Sequence, residues 1–170
     1  MLNNLKNTLK KKIHLSSRIY LINKKYKKNE LYHYIEDPNN VITIPIIKGK
    51  YILVYQQKIP INKKNYEFPS GWIDIGEKPV DSASRELLEE TGYKSLVALR
   101  KILPLYPNPG RLSKSMICFF TKKLKKISKP ENGIKIALCS EKKIIKLIKS
   151  GKFNSATHIA AFFYYLSKKN

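Results

Sequence analysis

Three glutamates, Glu86, Glu89 and Glu90, lie at a spacing that places their side chains on one face of an α-helix. Residues three and four apart on a helix have Cβ atoms about 5–6 Å apart, so these carboxylates would repel one another and raise one another's pKa. A bound hard cation removes that repulsion. Mg²⁺, or Mn²⁺ in its place, takes oxygen ligands and leaves positions for water and phosphate oxygens. The pattern therefore predicts a divalent metal site suited to phosphate chemistry.

The charge distribution favours a metal site over a merely solvated acidic helix face. The chain has 34 Lys and Arg residues against 12 Asp and Glu residues, a formal net charge of +22. Half of the twelve acidic residues lie between Asp74 and Glu90. Such a concentration of negative charge in a basic protein indicates a function for these carboxylates.

The segment from Gly71 to Tyr93 resembles the Nudix box, in which a glycine, five residues, a glutamate and seven residues precede R-E-U-x-E-E-x-G-U, where U is bulky and apolar or aromatic. Every constrained position matches, namely Gly71, Glu77, Arg85, Glu86, Leu87, Glu89, Glu90, Gly92 and Tyr93. The resemblance implies a Nudix hydrolase with an α/β/α sandwich built on a mixed sheet, which cuts a diphosphate linkage.

The resemblance also implies roles for individual residues. Glu86 and Glu90 are expected to ligate the metal directly, and Glu89 to ligate it or to order metal-bound water. The backbone carbonyl of Ser70, the residue before the first glycine of the box, is expected to join them. Four further residues are expected to support the site structurally: Gly71, Glu77, Arg85 and Gly92.

The surroundings of the box resemble the ADP-ribose and ADP-sugar pyrophosphatase branch of the family. Glu67–Gly71 is similar to that branch's E-L-P-A-G, Lys58 stands where an arginine often contacts substrate, and Pro109-Gly110 follows the box at a similar distance. Arg111 occupies the region in which relatives often carry a glutamate. By this resemblance Lys58, Glu67 and Arg111 are expected to bind substrate.

The catalytic base is left open among three carboxylates. Relatives supply an acidic residue from a late loop, and here Ser128–Gly133 contains only Glu131. Glu89, Glu90 or Glu131 would accept the proton of the attacking water.

Apolar periodicity and turn residues predict the elements that position the site. Pro79 suits a first helical position and Gly92 a left-handed stop, so a helix is expected over 79–91. Residues 41–47 and 51–57 are expected to form a hairpin of buried strands around Lys48-Gly49-Lys50. The remaining predictions are strands at 95–103, 115–122 and 134–138 and helices at 141–149 and 155–168.

The N-terminal part is expected to be a basic tail, 1–12, followed by an antiparallel hairpin, 13–36, with strands at 13–23 and 30–35. Residues 13–170 are then one Nudix domain containing the box at 71–93. The hairpin has apolar residues on both faces, and an isolated hairpin leaves one face uncovered. By resemblance, members of the ADP-ribose branch form dimers through this hairpin. The uncovered apolar face and that resemblance together predict a homodimer with the hairpin at its interface.

Composition limits the remaining possibilities. Only Arg18, Arg85, Arg100 and Arg111 are arginines, so the basic surface is nearly all Lys, as an AT-rich genome would produce, and nucleic-acid binding is expected to be weak and non-specific. Cys118 and Cys139 are expected to be reduced. No run of about 18 apolar residues occurs, so no membrane-spanning helix is expected, and a cytoplasmic protein is the expectation.

Three functions remain open. The first is hydrolysis of a nucleoside diphosphate sugar such as ADP-ribose into a nucleoside monophosphate and a sugar phosphate. The second is hydrolysis of a nucleoside triphosphate or a dinucleotide with the same box. The third is a non-catalytic Nudix domain that binds a nucleotide or RNA.

Overall fold

A computed structural model describes residues 10–27 and 30–169 of the chain. The helices of the described residues are α1 (Pro79–Thr91), α2 (Glu141–Lys149) and α3 (Ala156–Ser167), and a 3₁₀ turn covers Ile59–Ile61. The strands are β1 (Lys10–His14), β2 (Tyr20–Lys27), β3 (Glu30–Glu36), β4 (Asn40–Ile47), β5 (Lys50–Lys58), β6 (Lys63–Glu67), β7 (Ser70–Trp72), β8 (Tyr93–Ser95), β9 (Arg100–Leu105), β10 (Met116–Thr121), β11 (Leu124–Lys126) and β12 (Lys135–Cys139).

A seven-stranded mixed sheet forms the centre of the molecule. Its main path is β12-β5-β4-β10-β9, with β6 paired to β5 and β7 paired to β4. β10 runs parallel to β4, whereas the other pairings of the sheet are antiparallel. The predicted hairpin around Lys48-Gly49 is confirmed. β4 is buried from Val41 to Ile46, as a strand covered on both faces must be.

Helices cover both faces of this sheet and complete the predicted α/β/α sandwich. On one face, Ala83 of α1 packs with Val41 and Phe119. On the other face, Ile144 of α2 and Phe162 of α3 belong to the larger core cluster. In β10, Phe119 packs on the α1 side, whereas its neighbours Cys118 and Phe120 pack on the side of α2 and α3. Successive side chains on a strand point to opposite faces, which explains this alternation.

The predicted N-terminal antiparallel hairpin is confirmed in β2 and β3, but it is extended by a further strand. β1, β2 and β3 form a separate three-stranded antiparallel sheet, so the expected strand at 13–23 is two strands. Leu15 and Ser16 both donate backbone hydrogen bonds to the carbonyl of Ile19, which closes a turn within that stretch. Polar Ser16-Ser17 was a turn signal that the apolar alternation around it obscured. The last three residues of the predicted tail, 10–12, are in β1, and 1–9 lie outside the described residues.

A second predicted strand is also divided. Residues 95–103 were expected to be continuous, but β8 ends at Ser95 and β9 begins at Arg100. β8 instead pairs with β11, a short strand that was not predicted. The strands predicted around β10 and β12 and the three helices are confirmed to within two residues. No described helix has the length and apolar character needed to span a bilayer.

Candidate active site

The helix α1 begins and ends where its sequence predicts. Pro79 is its first residue, and the preceding Lys78 provides no side-chain cap. Gly92 terminates it with a φ of 69°, and the Gly92 N–H donates to the carbonyl of Leu88. A left-handed residue costs little energy only when it is glycine. The predicted acidic face is therefore held on a helix with two defined ends.

Arg85 connects the carboxylates of the site. Its Nε and Nη2 atoms donate to the two oxygens of Glu77, each at 3.0 Å. Its Nη1 atom donates to Glu86 Oε1 at 2.8 Å and to Glu89 Oε2 at 3.1 Å. The hydrogen bonds from Arg85 lower the pKa of Glu77 to about 2, and the carboxylates raise the pKa of Arg85. This geometry suits the predicted supporting roles of Arg85 and Glu77.

Glu90 is buried on the side of α1 that faces the sheet, with 8% of its surface exposed. Its Oε2 accepts from the backbone N–H of Ser70 at 2.8 Å, and its Oε1 accepts from Gln56 Nε2 at 3.1 Å. Burial raises the pKa of Glu90 to about 7, because loss of hydration outweighs the effect of these two donors. A bound cation would supply the positive charge that this carboxylate lacks.

Gly71 allows Glu86 to approach the backbone of β7. A Cβ atom at position 71 would overlap the carboxylate of Glu86, so a larger residue does not fit there. The side chain of Glu86 is 14% exposed, and burial raises its pKa. β7 thus places Ser70 against Glu90 and Gly71 against Glu86, which brings the predicted Ser70 carbonyl into the region of both glutamates.

A buried polar network lies beside this strand, on β5, β6 and α3. Lys58 forms an ion pair with Glu67 at 2.5 Å, and Asn65 Nδ2 donates to Glu67 at 3.1 Å. The Phe68 N–H donates to Nδ1 of His158 on α3 at 3.2 Å. Burial lowers the pKa of His158 to about 4, which keeps the imidazole neutral and able to accept.

Gln56, Asn65 and His158 were not identified from the sequence as residues of the site. Gln56 and His158 each act through a contact between elements that are distant along the chain, which no spacing within a single helix or strand signals. Asn65 contacts Glu67 two residues away in β6, and its Oδ1 also accepts from the backbone N–H of Asn154. Glu67, predicted to bind substrate, has a side chain only 8% exposed and is occupied by its Lys58 partner.

The structure brings Glu131 to the site but leaves Arg111 elsewhere. The Glu131 N–H donates to the carbonyl of Glu89 at 2.9 Å, and the charge of Glu131 contributes to the raised pKa of Glu86. Arg111 donates to the carbonyl of His33 and lies over the ring of Tyr32. Among the described residues Arg111 makes no hydrogen bond or ion pair with the helix carboxylates.

The donor chemistry fits a hard cation. Glu86 and Glu90 offer carboxylate oxygens, the ligands that Mg²⁺ prefers, and burial raises the pKa of both groups, so a cation bound there would be favoured. Within 10–27 and 30–169, no three Asp, Glu, His or Cys side chains are already gathered at one point in a way that would hold a metal. Arg85, Gln56 and the Ser70 N–H occupy carboxylate oxygens instead.

We expect the metal-free protein to lose stability as the pH rises from 5 to 8. Glu90 titrates near 7 in the folded chain against an ordinary value of 4.5, so the folded state binds the proton more tightly. Stability is therefore full below about pH 4.5 and falls until the pH passes 7, by about 3 kcal/mol. Urea unfolding in EDTA measures this, and Glu90→Gln should flatten the slope. An unchanged slope in that variant would disprove the cause.

Known proteins resemble this chain in sequence and in structure. The family model described as NUDIX domain matches residues 37–156. An ADP-ribose pyrophosphatase of Bacillus subtilis (strain 168) is 34% identical over 107 residues, 62% of this chain and 56% of that protein. An ADP-sugar pyrophosphatase of Mus musculus is 53% identical over 47 residues, 28% of this chain and 22% of that protein.

The chain thus spans little more than half the length of the first of these relatives and less of the second. A solved structure described as an ADP compounds hydrolase superimposes with a TM-score of 0.78 and covers 96% of this chain and 94% of its own, at 20% identity. That similarity shows the fold. The family model covers most of the chain, including the sheet and α1 with its carboxylates, so the chain belongs to the NUDIX domain family.

Proposed function

We propose that the protein hydrolyses the diphosphate bond of a nucleoside diphosphate sugar such as ADP-ribose, with Mg²⁺ or Mn²⁺ as cofactor. The products would be a nucleoside monophosphate and a sugar phosphate. The observation that carries the proposal is the convergence of Glu86, Glu89 and Glu90 on α1 with Glu131 from a distant loop. The similarity to an ADP-ribose pyrophosphatase and an ADP-sugar pyrophosphatase supports the substrate class.

The chain's own residues would divide the work as follows. Glu86 and Glu90, with the Ser70 carbonyl, would hold the cation, which when bound neutralises phosphate oxygens and lowers the pKa of bound water. Arg85 keeps Glu86 and Glu89 in one arrangement. Gly71 leaves room for the Glu86 carboxylate.

Glu131 is the best candidate for the base that accepts a proton from the attacking water. Its side chain is exposed and makes no hydrogen bond or ion pair with another described residue, so both oxygens are available. Glu90 is buried and accepts from two donors, and Glu89 accepts from Arg85. A base needs a free oxygen within reach of the water, and Glu131 meets that condition best of the three.

Lys58 and Glu67, both predicted to bind substrate, form an ion pair with each other. Lys58 is held by Glu67, and its charge also lowers the pKa of Glu90. We propose that this pair lines the substrate side of the carboxylate site, with Glu67 orienting Lys58 toward a phosphate. Arg111 lies in the loop between β9 and β10, where its carbonyl accepts from the Ile35 N–H of the N-terminal sheet, and it would contact a more distant part of the substrate.

A substrate panel tests the proposal. ADP-ribose, other nucleoside diphosphate sugars, nucleoside triphosphates and dinucleotides are incubated with the protein with and without Mg²⁺ or Mn²⁺. Phosphate is then released by added phosphatase from the products of the diphosphate sugars and dinucleotides and measured, and the triphosphate reactions receive pyrophosphatase instead, because phosphatase attacks a triphosphate directly. Metal-dependent turnover that is highest for a nucleoside diphosphate sugar supports the proposal. Preference for a triphosphate or a dinucleotide would replace the substrate class, and no turnover would favour a binding domain.

We also propose a homodimer formed through the N-terminal sheet. Its strands and turn leave large apolar side chains exposed: Leu15 at 55%, Tyr26 at 61% and Leu31 at 58%. Exposed apolar groups on one small sheet favour burial against a partner. Light scattering at about 0.15 M salt, where charge repulsion between subunits is screened, is expected to give twice the mass of one chain. The mass of a single chain at micromolar concentration would exclude the dimer.

A cytoplasmic location completes the proposal. Cys118 and Cys139 are both buried free thiols, and burial raises the pKa of each. Unpaired thiols are usual in reducing compartments.

A further inference from the structure

A groove near the end of α3 lies largely on the face of the central sheet opposite α1. Its cavity of about 830 Å³ is bounded by the edge strand β9, the end of β10 and the C-terminal end of α3. Phe120 lines the groove and packs 5.2 Å from Tyr165 of α3, whereas its neighbour Phe119 packs in the cluster that contains Ala83 of α1. A ligand held by the carboxylates of α1 is therefore separated from this groove by the sheet.

The walls of the groove concentrate positive charge. No Asp or Glu lines it. Of its cations, Lys169 pairs with Glu141, and the others form no ion pair with any described residue. Like charges brought together in this way repel, and an anionic ligand would relieve the repulsion. The six cations come in pairs from three separate parts of the chain: Arg100, Lys101, Lys122, Lys123, Lys168 and Lys169.

Aromatic rings lie among these cations. The guanidinium carbon of Arg100 lies 5.9 Å from the ring centre of Phe120, and the ammonium of Lys168 lies 5.8 Å from that of Tyr164. Phe120 and Tyr164 are each partly exposed. Tyr165, also on the wall, has a buried hydroxyl without a hydrogen-bond partner among the described residues. Cations beside partly exposed rings in an open groove are the elements that bind single-stranded nucleic acids.

We propose that this groove binds single-stranded nucleic acid. The Lys and Arg side chains would contact successive phosphates, and bases would stack on the open face of Tyr164. Lysine charges and ring faces do not distinguish bases, so binding would be independent of sequence. A small anion is a poorer fit because the groove is open and its cations are exposed. A membrane is a poorer fit because the rings line a concave surface.

The proposal does not rest on the proposed function, and it changes one expectation from the sequence. Nucleic-acid binding was expected to be weak and non-specific, through a basic surface that is nearly all Lys. The groove predicts instead that a few cations dominate binding while other lysines contribute little. That difference can be measured with variants that remove equal charge from two places.

The test uses the full chain in EDTA, which prevents metal-dependent hydrolysis, and a labelled oligouridylate of about 20 nucleotides, long enough to cross one groove. The groove variant is Arg100→Gln/Lys122→Gln/Lys168→Gln. The control variant is Lys142→Gln/Lys146→Gln/Lys149→Gln, which removes the same charge from exposed positions on α2. Fluorescence anisotropy gives Kd at several salt concentrations, and thermal unfolding verifies that both variants are folded.

We expect the groove variant to bind more than about tenfold more weakly, with the slope of log K against log salt reduced by about 2 for three lost phosphate contacts. The control should lose less than about threefold. Tyr164→Leu should weaken binding at least about fivefold without changing the salt slope, because stacking releases no counterions. Metal-dependent hydrolysis of small substrates should be unchanged in the groove variant.

Three results would overturn the proposal. The first is no binding by the wild-type chain. The second is an equal loss in the groove and α2 variants, which would show that binding is diffuse. The third concerns vesicles containing phosphatidylserine. If the wild-type chain bound them, and the groove variant lost that binding but kept its affinity for the oligouridylate, the groove would be assigned to a membrane surface.

Discussion

Glu86→Gln and Glu90→Gln are each expected to lower kcat by roughly a hundredfold or more, because loss of a metal-holding carboxylate removes several kcal/mol of transition-state stabilisation. The fold should survive in both. At position 90 the amide oxygen can accept from the Ser70 N–H, and Gln56 can turn its own amide to accept from the new NH₂ group. Turnover of the best substrate at saturating Mg²⁺ measures the effect.

Asp81→Asn is the matched control for these substitutions. Asp81 is an exposed carboxylate on the first turn of the same helix and lies outside the cluster held by Arg85. Its replacement should leave kcat within about twofold of the wild type. If Glu86→Gln or Glu90→Gln retained more than about a tenth of wild-type turnover, the assignment of that residue to the metal would be wrong.

Gly71→Ala is expected to lower activity by at least about tenfold, although it adds only one methyl group. The added Cβ overlaps the Glu86 carboxylate. Pairing of β7 with β4, in which Gly71 opposes Val41, prevents the backbone from withdrawing. Glu86 would have to rotate away and would lose its contact with Arg85 at 2.8 Å. Activity and metal affinity should therefore fall together.

The control for this variant is Gly110→Ala. A Cβ at position 110 meets only Asn108 and Tyr32 at 3.7 Å, an ordinary contact distance. Combining Gly71→Ala with Glu86→Gln provides a second check, because two changes that act through one carboxylate should not add. Full additivity in the double variant would show that position 71 acts by another route.

The sequence alone was sufficient for the helix of the site and its acidic face. Pro79, Gly92 and the spacing of Glu86, Glu89 and Glu90 all lie within one helix, and helix geometry is set locally by its 3.6-residue turn. The same local character explains why the β4–β5 hairpin and α2 were predicted correctly. Family resemblance added Ser70, Gly71 and Glu131, which no periodicity would have identified.

Only the tertiary structure decided which distant groups meet these carboxylates. Gln56 reaches Glu90 because α1 packs against β5 of the sheet, and His158 reaches the Phe68 N–H because α3 covers the opposite face. The order β12-β5-β4-β10-β9 determines these contacts, and β4 pairs with β10 across more than 70 residues of sequence. A periodic pattern specifies which face of an element is buried, but it does not specify the partner that buries it. For the same reason, three further features could be recognised only in the packed structure. They are the turn at Ser16-Ser17 that divides the first strand, the ion pair between Lys58 and the buried Glu67, and the gathering of lysines in the groove by α3.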